Sequence, residues 1–131
     1  MKTIFSKIID KEISCYLVAE NNFAIAFMDI NPISKGHVLV VPKTQVDYIF
    51  DLNNKTYHDL WSFTRLVADG LKKSVVCERV GVSVVGLEVP HAHIHLIPLK
   101  SVDDMNFSNK IKMSAEEIDE LAQKISKNIK F

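Results

Sequence analysis

Hydrophobic positions change period several times along the chain, and each change marks an element. Thr3 to Ile9 sets Ile4, Phe5, Ile8 and Ile9 roughly on one side of a short helix. Tyr16 to Glu20 and Phe23 to Met28 read as two strands around Asn21-Asn22, a dipeptide that tolerates positive φ and suits a tight hairpin turn. Asn31-Pro32 breaks the second strand. Lys35-Gly36 then leads into the apolar run His37-Val38-Leu39-Val40-Val41, which Pro42 ends. From about Asn54 to Cys77, Tyr57, Leu60, Trp61, Thr64, Val67, Leu71 and Val75 recur at intervals of three and four, predicting the longest helix, with Gly70 inside it. Gly81 to Gly86 reads as a buried strand and His91 to Pro98 as its antiparallel neighbour. Pro90, lacking an amide hydrogen, belongs at that strand's start.

The carboxy-terminal part carries the clearest local signal. Ser114-Ala115-Glu116-Glu117 is a capping box. After it, Ile118, Leu121, Ala122, Ile125 and Ile129 form a stripe, with acids in the first turns and Lys124, Lys127 and Lys130 in the last, as the helix dipole favours. Ser101 to Lys112, between strand and helix, is polar and irregular. The fold class predicted is α+β: an antiparallel sheet, one long helix packed on it, a short amino-terminal helix and a carboxy-terminal helix. A chain of 131 residues fits one domain, 1–131, with 113–131 as a helical extension.

Charge and composition narrow the function classes. Sixteen basic residues cancel sixteen acidic ones, so no global field invites nucleic acid or an anionic membrane, and any phosphate site must be local. No run approaches the ~18 to 20 apolar residues of a membrane helix. Lys7 and Asp10 interrupt what would be a signal peptide's apolar region. Cys15 and Cys77 form no C-x-x-C pair, so neither a disulfide framework nor a zinc ribbon is implied. A cytoplasmic protein is expected.

Against that background stands His91-Ala92-His93-Ile94-His95-Leu96-Ile97, holding three of the five histidines at alternate positions. On a strand, all three imidazoles line one face while Ala92, Ile94 and Leu96 fill the other. Imidazole titrates near physiological pH, which points to proton transfer, nucleophilic attack or metal binding. Attachment points about 13 Å apart, at ~3.3 Å per residue, keep the outer two from converging on one metal. Zinc needs its ligands at ~2.0 to 2.1 Å, and a cupin-type glutamate after the histidine pair is missing where Leu96-Ile97-Pro98-Leu99 follows. Nucleophilic catalysis by the middle histidine fits better, with its neighbours donating to phosphate oxygens. The bland alternative, three histidines merely satisfied in a core or on a surface, sits poorly with a strict period of two beside Gly86 and Pro90.

The row resembles the His-φ-His-φ-His-φ-φ signature of the histidine triad (HIT) superfamily, where φ is apolar. Ile4-Phe5-Ser6-Lys7-Ile8-Ile9, Lys11-Glu12-Ile13, Ala26-Phe27-Met28-Asp29-Ile30-Asn31-Pro32 and Gly36-His37-Val38-Leu39-Val40-Val41-Pro42-Lys43 fall in family order up to Lys100, closest to the Hint-like branch of nucleotide hydrolases and transferases.

The resemblance implies a HIT-like fold, a homodimer joined through the long helix and a sheet edge, a purine nucleotide derivative as substrate, and no cofactor. It implies that His93 attacks the α-phosphorus of a phosphoramidate, adenylate or dinucleoside polyphosphate and forms a nucleotidyl-histidine. His91 and His95 would hold the α-phosphate and His37 would extend the imidazole network. Asp29 would accept the ribose hydroxyls, and Phe5, Ile8, Ile13, Phe27, Met28 and Ile30 would form the slot around the base. Read without the family, those apolar residues are core and Asp29 is a turn aspartate. His58 matches nothing. A low-turnover nucleotide sensor and a metal-dependent hydrolase are the competing readings.

Three departures bear on this. Many relatives hold a structural zinc through two cysteines and two histidines, but Thr3, Ser6 and Gln45 stand at three of those positions here, so no metal is expected. The approach Gly81 to Pro90 is shorter than the family's, and Leu87 replaces a phosphate-contacting glutamine. Glu88 falls where relatives often have a small hydroxyl or similar residue; facing the site it would handle either the leaving-group proton or the hydrolytic water, and turned away it is a solvent-exposed strand end.

Overall fold

The structure, a computed structural model, describes residues 1–131. Its strands are β1 Leu17–Glu20, β2 Ala24–Met28, β3 Val38–Pro42, β4 Arg79–Ser83 and β5 Ile94–Leu99, and its helices α1 Ile4–Ile9, α2 Asn54–Ser74 and α3 Ala115–Asn128. The strands form one antiparallel sheet in the order β1-β2-β3-β5-β4. This is the predicted α+β arrangement.

Alternation in the central strands decides which layer lies where. Ala24, Ala26 and Met28 of β2, Val38 and Val40 of β3, and Ile94 and Leu96 of β5 point one way. There they pack with Leu60, Phe63, Val67 and Leu71 of α2 and Ile118, Ala122 and Ile125 of α3. Ile25, Phe27, Leu39 and Val41 point the other way, against Phe5 and Ile8 of α1. Both β2 and β3 are therefore buried on both faces. On the opposite face of β5, His95 is the polar side chain, followed by buried Ile97.

Local chemistry fixes the boundaries. Thr3 caps α1, Asn53 caps α2 through the Thr56 amide, and Ser114 with Glu117 forms the expected capping box of α3. Gly36 sits at φ +102°, and a Cβ there would come within 2.9 Å of the Pro98 ring, so the turn into β3 requires glycine. Gly70 is equally constrained: a Cβ would collide with Ile129, which lets α2 and α3 approach closely.

Several expectations shift. The β1–β2 turn does not use positive φ, which among non-glycine residues occurs at Lys11. Asn21 instead accepts from the Phe23 and Ala24 amides through its side chain, at 2.8 and 2.9 Å. The helix α2 ends at Ser74, and Phe63 joins the buried face that the sequence stripe omitted. Most important, β4 is an edge strand paired on one side only, with Val82 exposed rather than buried. No helix is long and apolar enough to cross a membrane.

Candidate active site

The strand carrying the row begins at Ile94, so His91 and His93 lie in the irregular segment that enters it, and His95 in the strand itself. Two main-chain bonds hold that entry: His91 N–H to Val89 O at 2.8 Å and Ala92 N–H to Val46 O at 2.7 Å. Leu39 of β3 pairs with His95 of β5, so His37, two residues earlier, shares the face of His95. All four rings are buried.

Hydrogen-bond partners assign every tautomer. A neutral imidazole has one donor and one acceptor nitrogen. The Ile33 amide donates to His37 Nδ1 at 3.1 Å, so the His37 proton sits on Nε2. That proton is donated to His95 Nδ1 at 2.9 Å, which places the remaining N–H of His95 on Nε2. Asp29 Oδ2, 3.4 Å from His37 Nε2, stabilises the same proton from the side. His93 Nδ1 donates to the main-chain oxygen of His91 at 2.8 Å, which leaves the lone pair of His93 on Nε2. His91 Nε2 donates to the Pro42 carbonyl at 2.9 Å, so His91 Nδ1 accepts, and the Thr3 hydroxyl donates to it at 2.9 Å.

The row is thus divided. Both nitrogens of the His91 ring are occupied by protein, so that ring offers nothing to a phosphate, contrary to the symmetric role suggested by spacing alone. His93 presents a nucleophilic nitrogen and His95 a neutral N–H donor. Burial holds His95 down at about 3, aided by His37, His93 and Lys110. Burial likewise pushes His37 down to about 4, with Asp29 opposing and Lys110 and His93 assisting. His91 is also lowered, first by burial.

His93 and His95 border a cavity of about 740 Å³. Each residue expected around the nucleotide, Phe5, Ile8, Ile13, Phe27, Met28, Asp29, Ile30, Leu87 and Glu88, also lines it. Phe5, Ile8 and Phe27 belong at the same time to the smaller core cluster and Met28 to the larger, so these four serve both core and slot, whereas Ile13 and Ile30 are exposed. The Phe5 ring stands edge-on to His93 at 4.9 Å between centroids. One oxygen of Asp29 accepts from the Asn31 amide at 2.8 Å. Leu87 and Glu88 are exposed at the rim, following Gly86 at φ +71°. His58 is exposed on α2, away from the cavity.

The sequence reading missed the contribution of Ser101 to Lys112. A one-turn 3-10 helix, Val102–Asp104, opens this segment, and the Ile111 amide bonds Pro32 O at 2.9 Å near its end. Between these points the Phe107 ring lies 4.8 Å from His95 and 6.1 Å from His37, and Lys110 lines the cavity. A lone aromatic in a polar stretch was the available signal.

Neither metal arrangement fits. Asp29, His37 and His95 bring potential ligand atoms within 4.8 Å of one another. The bond from Ile33, however, keeps a proton on the His37 nitrogen that would have to ligate. Thr3, Ser6, Gln45 and His91 instead bond to each other: Ser6 Oγ donates to Gln45 Oε1, and the Ser6 amide donates to Thr3 Oγ1 at 3.0 Å. Hydroxyls and an amide do not replace the thiolate and imidazole set of structural zinc.

The chain is similar to known proteins over most of its length. A HIT-like protein of Borreliella burgdorferi is 33% identical over 135 residues, spanning 96% of this chain and 97% of its own. The adenosine 5′-monophosphoramidase of Schizosaccharomyces pombe is 33% identical over 135 residues, spanning 99% of this chain and all of its own. The crystal structure of a HIT-like protein from Bartonella henselae superposes with a TM-score of 0.85 at 30% identity, over 98% of this chain and 96% of that one. The family model of the HIT domain matches residues 10–102, and the chain belongs to the histidine triad family.

Proposed function

We propose that the protein cleaves a substituent from the α-phosphate of a nucleoside monophosphate derivative, through a nucleotidyl-histidine on His93. The observation carrying this reading is the bond from His93 Nδ1 to the His91 carbonyl, which commits the ring's lone pair to Nε2 beside the cavity. In the first step His93 Nε2 forms a bond to phosphorus, the bond to the leaving group breaks, and that group departs with a proton. In the second, water attacks phosphorus, the P–N bond breaks, and nucleoside monophosphate is released with His93 restored.

His95 Nε2–H donates to a phosphate oxygen as charge develops, and it does so as a neutral ring, so protonation is not required. His37 holds His95 in that tautomer. His91 acts through its main-chain oxygen. Asp29 takes the ribose hydroxyls, and the apolar slot from Phe5 to Ile30 grips the base by area. Glu88 at the rim handles the leaving-group proton or the hydrolytic water, so Glu88→Gln should slow turnover most on poor leaving groups. Equal slowing on good and poor ones would remove that role. The activity named for the yeast relative favours an amine leaving group.

A homodimer fits the exposed apolar residues Val82, Val84 and Val85 on and beyond the free edge of β4. The protein works in the cytoplasm on this reading, in keeping with free Cys15 and Cys77.

The test is to incubate wild type and His93→Asn with adenosine and guanosine phosphoramidates and dinucleoside polyphosphates, then quench in denaturant and weigh the protein. A nucleotidyl adduct in wild type only, with turnover lost in the variant, is expected. Matching turnover by both proteins overturns the assignment. Tight nucleotide binding without adduct indicates a sensor, and loss of turnover with chelator indicates a metal-dependent hydrolase.

A further inference from the structure

The Thr3–His91 contact lies outside the cavity that holds His93 and His95, yet it reaches the nucleophile. Thr3 sits at the amino-terminal cap of α1, is buried, and its hydroxyl oxygen is fixed by accepting the Ser6 amide at 3.0 Å. The Pro42 carbonyl can only accept, which leaves His91 Nδ1 to receive the Thr3 hydroxyl hydrogen at 2.9 Å, across 88 residues of chain, with Ser6 Oγ as the hydroxyl's other neighbour at 3.0 Å. His91 then has one tautomer available, and its Nε2–H is held on the Pro42 carbonyl at 2.9 Å.

The His91 ring is therefore gripped at both nitrogens, and the peptide unit that follows its Cα is gripped as well. Ala92 N–H bonds Val46 O, and the His91 oxygen of the same peptide unit receives His93 Nδ1–H at 2.8 Å. We infer that Thr3 is a positioning residue for the nucleophile. Its hydroxyl and the Pro42 carbonyl together hold the His91 ring at both nitrogens, and so fix the place of the His91 main-chain oxygen that receives His93 Nδ1–H and aims the lone pair on Nε2.

Ser6 and Gln45 complete the device. Ser6 Oγ receives the Thr3 amide at 3.2 Å and donates to Gln45 Oε1, tying the start of α1 to the segment after β3. The same helix brings Phe5 edge-on to His91 and His93. Docking of α1 thus supplies a wall of the cavity and sets the orientation of the group that reacts. The inference rests on His93 being the nucleophile, but its spectroscopic test does not depend on turnover.

The experiment compares wild type, Thr3→Ser, Thr3→Val and Thr3→Asp. Nitrogen chemical shifts of ¹⁵N-labelled histidines report each tautomer directly. Wild type and Thr3→Ser should show His91 protonated on Nε2 and His93 on Nδ1. Thr3→Val leaves His91 Nδ1 without its donor, and should shift the ring-nitrogen resonances of His91 and His93 and lower kcat about tenfold with KM little changed, because misplacement of a reacting atom costs rate rather than binding. Thr3→Asp keeps a cap acceptor for the Ser6 amide but sets an acceptor with no hydrogen against His91 Nδ1. It should therefore put a proton on His91 Nδ1 while melting closer to wild type than Thr3→Val does. Unaltered ring-nitrogen resonances and kcat in folded Thr3→Val or Thr3→Asp would overturn the inference. Altered resonances in a protein that forms no His93 adduct would leave it standing and sink the proposed function instead.

Discussion

His37 Nε2 and His95 Nδ1 are 2.9 Å apart, and the proton between them belongs to His37. The ownership follows from a main-chain amide, that of Ile33, which occupies the opposite nitrogen of the His37 ring. A buried backbone group therefore determines which nitrogen of His95 can donate.

Replacing His37 with leucine removes that determination. His95 would then sample both tautomers, and the N–H available to phosphate would be present only part of the time. A drop in kcat/KM of at least about tenfold is expected, with the His93 adduct still detectable by mass. Wild-type kinetics in His37→Leu would show that His95 needs no partner.

Stability should fall as the medium is acidified from pH 6.5 to 5. His37 and His95 have their values lowered from 6.5 to about 4 and about 3 by burial, and His91 is lowered too. In this window the unfolded chain binds protons that the folded chain refuses, so unfolding becomes easier as pH drops. Each such histidine contributes up to about 1.4 kcal/mol per pH unit. Urea midpoints across the range measure this, and His95→Gln should flatten the slope. A midpoint independent of pH would mean that the rings are protonated in the fold.

Lys110 is the cavity's one Lys or Arg side chain, against Asp29, Glu88 and Asp119. It forms no ion pair. An anionic nucleotide entering past three carboxylates needs that charge. Lys110→Glu should raise KM several-fold and reverse the salt dependence of kcat/KM, while leaving kcat within about twofold. Titration with the nucleoside monophosphate and with the uncharged nucleoside separates the effects, since only the former should weaken.

Gly70→Ala pits helix propensity against contact. Alanine favours a helix by about 1 kcal/mol over glycine. A methyl group here meets Ile129, with main-chain atoms of Asn128 and Ile129 at 3.2 to 3.3 Å, so the neighbour cannot yield by a rotamer change alone. Overpacking costs about 1 to 3 kcal/mol, and a net loss of about 1 kcal/mol in chemical denaturation is expected. A stabilised variant would mean that α3 can shift outward freely.

Periodicity located the elements because burial imposes it, and Ser114 with Glu117 marked the start of α3 unaided. The alternation at 91, 93 and 95 marked three buried rings, two of which border the cavity. It could not separate the three rings, since His91 and His93 precede the strand and their partners come from Thr3, Pro42 and the main chain. Spacing within a segment carries no trace of such distant bonds. Val82 was misjudged because an edge strand and a central one share the same apolar composition, and only neighbours tell them apart. Phe107 and Lys110 escaped notice because irregular backbone has no period to read.

The bond from Thr3 to His91 joins the first helix to the entry of the last strand, closing 88 residues of chain. Long-range closure of this kind comes late in folding, after local helices and hairpins have formed. An intermediate that has collapsed around α2 and the β1–β2 hairpin would hold histidines of undefined tautomer and no reactive nitrogen. Recovery of turnover during refolding should therefore lag behind recovery of secondary structure. Catalysis would thus serve as a probe of the completed fold.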